Sequence, residues 1–291
     1  MTDASPLAKK ESKSLAITAL YTAEVWRRGG LPGADLLATP DAQRVYGATE
    51  AALGIARVFS ALGRLLGGVR YSPLPVALLH RHTYLDHLVR ASTADAVIEL
   101  AAGLSPRGLA ETAQSARAYL EVDMPEMIAW KRELLSRTDA GKAALARAHL
   151  RFEGADLRTA DLSAFTQGTR SPLIVAEGLL MYLSAEAQRS LFRRVADAIP
   201  TGGELLFDLV PPAEEPPPGL LGRGLGWLMR RFTGGADFVR ERRTRVDVLA
   251  DLSAAGFEAS AIEPHAQAAA LGLPHPSTWT RMVVFRARRP G

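Results

Sequence analysis

Short apolar runs alternate along this chain with longer amphipathic stretches. Runs over residues 96–101, 118–122, 150–154, 172–176, 204–210, 257–262 and 281–286 are too short for helices and predict seven strands. Several are almost unbroken in apolar character, as expected of strands covered on both faces in a parallel sheet. Between them, stretches over 109–116, 126–136, 185–199 and 244–255 space their apolar residues as helices do. Ser184 is placed to cap the third of these, with Glu186 set early against the helix dipole. Strands alternating with helices predict an α/β fold with a doubly wound, seven-stranded, Rossmann-like sheet whose last two strands run antiparallel to each other.

The first ninety residues read differently. Helical patterns cover 14–26, 41–66 (as one or two helices) and 75–91, with Gly29-Gly30 and the prolines at 73 and 75 as breaks. The expected organisation is an N-terminal helical cap over residues 1–92 and the sheet domain over 93–291. The first residues, polar and charged, are expected to lack order. Residues 211–219 hold five prolines and predict an extended loop opening a lid-like insertion near 211–240. Within it, 219–232 is apolar with three arginines, and suits a packed surface helix, a lid or pocket wall, or a membrane-surface segment.

Composition narrows the classes. The chain has 291 residues, 47% hydrophobic and 23% charged, enough for a sizeable core. Net charge is +4, but both signs are interspersed without a basic stripe, so nucleic acid is not an expected partner. There is no cysteine, which excludes disulfides and thiolate metal sites and fits a cytoplasmic protein. No signal-peptide core or membrane-length apolar run is visible, so no stable membrane insertion is expected.

The richest stretch is 95–125. A strand ends in a turn holding Gly103, Ser105, Pro106 and Gly108. A helix follows, and a second strand ends on Glu121 and Asp123. In open α/β sheets the ligand sits beyond the carboxyl ends of the strands, and an acid some 20 residues past the glycine turn can accept hydrogen bonds from ribose hydroxyls. The unit can therefore hold an adenosine. The G-x-G-x-x-G spacing for a pyrophosphate is missing, because Ala101 stands at the first glycine. A ligand without phosphates, such as S-adenosylmethionine, fits better than a nicotinamide dinucleotide. The histidines form no metal-ligand spacing, and Ser105 has no partner histidine in view. No metal site and no catalytic side chain are assigned.

Several blocks in order carry a family resemblance: Lys13; Arg81 with Asp86; Val97-Ile-Glu-Leu-Ala-Ala-Gly103; Leu120-Glu-Val-Asp-Met-Pro125 with Lys131; Gly154-Ala-Asp-Leu-Arg158; and Glu177-Gly-Leu-Leu-Met-Tyr-Leu183. Together they resemble the leucine carboxyl methyltransferase family, over roughly residues 12–198. The resemblance implies a class I methyltransferase fold with S-adenosylmethionine as cofactor. It implies that Gly103 lies against the cofactor and that Asp123, with Glu121 as a second acceptor, binds the ribose. Asp156 and Leu157 would flank the adenine, and Glu177 would accept from the methionine ammonium. Lys13 and Arg81 would approach a carboxylate of cofactor or acceptor. Tyr182 and His275 would line the acceptor pocket. The implied activity is O-methylation of a small-molecule carboxylate or hydroxyl, in bacterial natural-product metabolism. Two departures stand out: relatives carry a further glycine where this chain has Ala101 or Ala102, and Asp-Thr-Arg where it has Ser105-Pro106-Arg107. They keep open a degenerate member that binds cofactor without turnover. N- or C-methylation on the same fold is a further alternative.

Overall fold

The computed structural model describes residues 6–64, 73–211, 243–273 and 282–290, with side chains described from residue 17 onward except at 52 and 55–64. Three long helices lead: α1 (Pro6–Arg28), α2 (Pro40–Arg64) and α3 (Leu74–Ala91). Then come β1 (Ala96–Leu100), α4 (Arg107–Gln114), β2 (Ala118–Asp123), α5 (Pro125–Ser136), α6 (Asp139–Leu145), β3 (Leu150–Gly154), the single turn α7 (Ser163–Thr166), β4 (Pro172–Ala176), α8 (Ala185–Ala198) and β5 (Glu204–Leu209). The chain closes with α9 (Arg245–Ala254), β6 (Glu258–Ile262) and β7 (Val283–Arg288).

The seven strands form one sheet in the order β3-β2-β1-β4-β5-β7-β6, all parallel except β7, which runs antiparallel to both its neighbours. The expected doubly wound α/β sheet is observed. The chain reverses direction across the sheet between β1 and β4, the switch point where such sheets open a ligand crevice.

Strand alternation divides the core in two. On one face Ile98, Ile174, Ala176, Leu205 and Phe207 pack against Leu191, Phe192 and Val195 of α8 and Val248 and Leu252 of α9. Phe207 stacks between Phe192 and Phe285, with ring centroids 5.3 and 4.9 Å apart. On the other face Val97, Leu173, Val175 and Leu206 meet Tyr84, Leu85 and Val89 of α3, Leu134 and Leu135 of α5 and Ala23 of α1. With helices on both faces β1 and β4 are buried throughout, which is why they read as near-continuous apolar runs. It also places α3, expected as part of a cap, directly on the sheet.

Helix starts follow the sequence signals. Ser184 accepts from the Ala187 N–H at 3.2 Å, and Thr244 with Asp247 forms a capping box on α9. Of the pattern expected over 41–66, the described part, to Arg64, is a single helix; α6 was not foreseen, and Thr138 caps it. No described helix is long and apolar enough to cross a membrane. Past Pro211, the lid expected near 211–240, with its 219–232 stretch, lies outside the described residues, as does His275.

Candidate active site

Two glycine turns at the carboxyl edge of the sheet are built alike. After β1 the chain turns at Gly103, with φ +48°, and its N–H donates to Asp123 Oδ2 at the end of β2, at 2.7 Å. After β4 it turns at Gly178, with φ +69°, and its N–H donates to Asp208 Oδ1 on β5, at 2.6 Å. Each turn needs the left-handed backbone region that glycine enters freely, and each is pinned by a carboxylate of the adjacent strand. Ala101 also sits at positive φ, +53°, without being glycine.

At the first turn the chain leaves room. A methyl group on Gly103 would meet only Ala19 Cβ of α1, at 3.9 Å. Asp123 is half-buried, and burial raises its carboxyl against the N–H groups of Gly103 and Met124, which lower it. Its two oxygens each hold one backbone N–H, at 2.7 Å, so each keeps acceptor capacity toward the pocket. Asp156 and Leu157, past the end of β3, are half-buried at the same edge. Asp156 is bound to Arg158 at 2.7 Å, and that pairing holds its carboxyl below the usual range.

Glu121 is not a pocket residue. Its carboxylate is fully buried against Lys131 Nζ, and the same ammonium donates to the Ser105 carbonyl at 2.6 Å. Among the described residues, Glu121 Oε1 has no hydrogen-bond partner. Burial pushes its carboxyl up to about 7, against the pull of Lys131. It therefore braces the Gly103–Ser105 turn from below and could not reach a ribose, because its carboxylate is closed off beneath α4 and α5.

Under the second turn lies a buried charge network. Arg81 Nε donates to Glu177 Oε1 at 2.8 Å and Nη1 to Asp208 Oδ2 at 3.2 Å; Nη2 bonds to no described residue and stands beside Gly178. Arg107 Nε donates to Asp86 Oδ1 at 2.6 Å, Nη1 to Glu99 Oε1 at 2.5 Å, and Nη2 to Glu177 Oε2. His82 Nδ1 also reaches Glu177 Oε2, at 2.8 Å, and the imidazole lies 4.6 Å from the Trp26 ring. Tyr119 closes the far end by donating to Glu99 Oε2 at 2.7 Å. Burial would raise the Glu177 carboxyl, but His82, Arg81 and Arg107 outweigh it and hold it well below the usual range. Four carboxylates thus share two guanidiniums, with His82 the further group able to carry positive charge. The excess of negative charge favours a cationic ligand group nearby.

Tyr182 lies at the same edge, half-buried and hydrogen-bonded to Thr18 of α1; burial raises its phenol. Lys13 is on α1, with its side chain outside the description. The structure thus brings Arg81, Gly103, Asp123, Asp156, Leu157, Glu177 and Tyr182 to one edge and removes Glu121. Sequence reasoning missed the roles of His82, Glu99, Arg107 and Asp208. A signal existed for Glu99 and Asp208: each is a carboxylate flanked on both sides by apolar residues inside a strand, where it must be paired. Among the described residues no cluster could hold a metal ion.

Residues 66–196 match the family model described as leucine carboxyl methyltransferase. A protein of Mycobacterium ulcerans named as a candidate S-adenosyl-L-methionine-dependent methyltransferase is 33% identical over 152 residues, 50% of this chain and 47% of its own length. One of the same name from Mycobacterium avium is 29% identical over 200 residues, 66% of this chain and 61% of its own length. The chain thus spans less than two thirds of these relatives. Among solved structures, a duf574 family protein from Streptomyces avermitilis superposes with a TM-score of 0.54 at 14% identity, covering 86% of this chain and 91% of its own. The S-adenosylmethionine-dependent methyltransferase SibL gives 0.51 at 17% identity, covering 94% and 70%. At such identities the likeness concerns the fold.

Proposed function

We propose that this chain, whose residues 66–196 match the leucine carboxyl methyltransferase family model, is an S-adenosylmethionine-dependent methyltransferase acting on an oxygen of a small molecule. The observation that carries this reading is the pairing at one sheet edge of the open Gly103 turn, pinned to Asp123, with the Arg81–Glu177 ion pair. The first suits an adenosine and the second a zwitterionic amino acid.

The residues fit the cofactor. Asp123 has acceptor capacity left for ribose hydroxyls, and the close backbone at Gly103 leaves space beside it. Arg81 offers Nη2 to a carboxylate, while Glu177 accepts from an ammonium. The surplus of buried negative charge suits the ammonium and sulfonium of S-adenosylmethionine. Asp156 and Leu157 supply an acceptor and an apolar face for the adenine. When bound, the cofactor supplies an electrophilic methyl group on a sulfonium. The protein's part is to align the acceptor with it and exclude water. Thr18 and Ala19 of α1, against Tyr182 and Gly103, serve that exclusion as the inner face of a helical cap.

The acceptor is a carboxylate or acidic hydroxyl, and Tyr182 lines its pocket. Such an oxygen needs no strong general base. That agrees with an edge whose carboxylates at Asp86, Glu99, Asp123, Glu177 and Asp208 are all engaged by cations or backbone N–H groups. Calorimetric titration with S-adenosylhomocysteine, run beside NAD, tests the cofactor. Saturable binding of S-adenosylhomocysteine without NAD is expected, and the reverse overturns the reading. Transfer of labelled methyl to a panel of carboxylic acids, phenols and amines tests the acceptor; product found only with the amines would refute O-methylation.

A further inference from the structure

We propose that Arg107 is a positioning residue: it ties Glu177 to the cofactor turn, so that the site for the amino-acid part of the ligand is set by the turn that holds the adenosine part. This rests on the S-adenosylmethionine reading above.

Three observations carry it. The first is the placement of Arg107. It lies four residues after Gly103, at the first position of α4, where a cation opposes the helix dipole. Its position is thus not explained by the stability of α4. It is also almost wholly buried, at 2% exposure, where an arginine survives only if its donors are met.

The second is what its donors meet. The three guanidinium nitrogens reach three segments: Asp86 on α3, Glu99 on β1, and Glu177 just after β4. A planar fork can hold three carboxylates in fixed directions, whereas a lysine ammonium, a point charge on a flexible stem, cannot. Asp86 and Glu99 anchor the fork from the helical layer and the central strand, and Tyr119 anchors Glu99 in turn. Glu177 is the end that lies outside regular structure, on the loop entering the Gly178 turn.

The third is the geometry of Glu177. Oε2 is claimed by Arg107 and His82, which leaves Oε1, shared with Arg81, as the oxygen directed to a ligand ammonium. Without Arg107, Oε2 keeps only His82, whose Nδ1 itself lies 3.1 Å from Arg107 Nη2, and Oε1 keeps only Arg81, so the carboxylate loses one of the three groups that fix its direction. Arg107 touches neither ligand part in this scheme; it acts through Glu177.

Arg107→Lys separates this from a structural role. The probes are S-adenosylhomocysteine, which has the amino-acid part, and 5′-methylthioadenosine, which lacks it, each titrated calorimetrically. The lysine variant is expected to bind S-adenosylhomocysteine about 10- to 100-fold more weakly, the scale of one lost charge-assisted hydrogen bond, and methylthioadenosine within about 3-fold of the wild type. Equal weakening of both probes, or of neither, overturns the inference. If the lysine variant does not fold, Glu99→Gln decides. It loosens the buried anchor of the fork without touching the pocket and is expected to weaken S-adenosylhomocysteine alone; an unchanged ratio of the two affinities overturns the proposal. A wild-type protein that binds neither probe would refute the cofactor reading itself, and this inference with it.

Discussion

Protonation of Glu121 offers a direct test of how the Gly103 turn is supported. Its carboxyl is fully buried and pushed from an ordinary 4.5 up to about 7, because burial outweighs the attraction of Lys131. In the folded protein it keeps a proton that the unfolded chain loses between those two values. Unfolding in this window therefore releases a proton, and stability falls as pH rises from 4.5 through 7, then levels. At 1.36 kcal/mol per pH unit, the difference amounts to on the order of 3 kcal/mol. Asp123 and Asp208, also raised by burial, slope the same way. Glu177, held low by His82, Arg81 and Arg107, contributes stability above its unfolded value that is lost only under more acidic conditions. The difference between wild type and Glu121→Gln isolates Glu121, because glutamine keeps the shape and an acceptor for Lys131 but does not titrate. Urea unfolding of both proteins from pH 4.5 to 8.5 measures it. The wild type is expected to lose stability relative to the variant as pH rises, with most of the change complete near pH 8. Parallel profiles would refute the reasoning: they would mean that Glu121 stays ionised in the fold and that the Lys131 pair fully compensates its burial.

Asp123→Asn, which removes the charge but keeps an acceptor for Gly103, should weaken S-adenosylhomocysteine about 10- to 100-fold with the thermal transition kept, as calorimetry and melting curves would report. Gly108→Ala should cost about 1–3 kcal/mol in urea unfolding, because its Cβ would run into Glu121 Oε1 and stand 3.1 Å from the Tyr119 ring. Ala101→Gly should stabilise the protein by about 0.5 kcal/mol in the same assay: left-handed strain of about 1–2 kcal/mol is relieved, offset mainly by the greater backbone freedom of glycine in the unfolded chain.

Local sequence determined much of this protein. The seven strands, most of the helices between them and the cap at Ser184 were legible, because period and capping chemistry act over a few residues. So was the site's outline, a glycine turn followed twenty residues later by Asp123, since a βαβ unit brings those two ends together by its own geometry. Tertiary structure decided which acids remain reachable at the sheet edge. Glu121 and Asp123 lie two residues apart on one strand, and the packing of α4 and α5 over Glu121 separates a closed-off acid from a half-buried one. Arg81, Asp86, Glu99, Arg107, Glu177 and Asp208 meet across as many as 127 positions of sequence (Arg81 to Asp208 is the longest link), and their union depends on the sheet order β1-β4-β5. A buried charge is tolerable only where its partners converge, and convergence is a property of the assembled sheet that no local pattern contains.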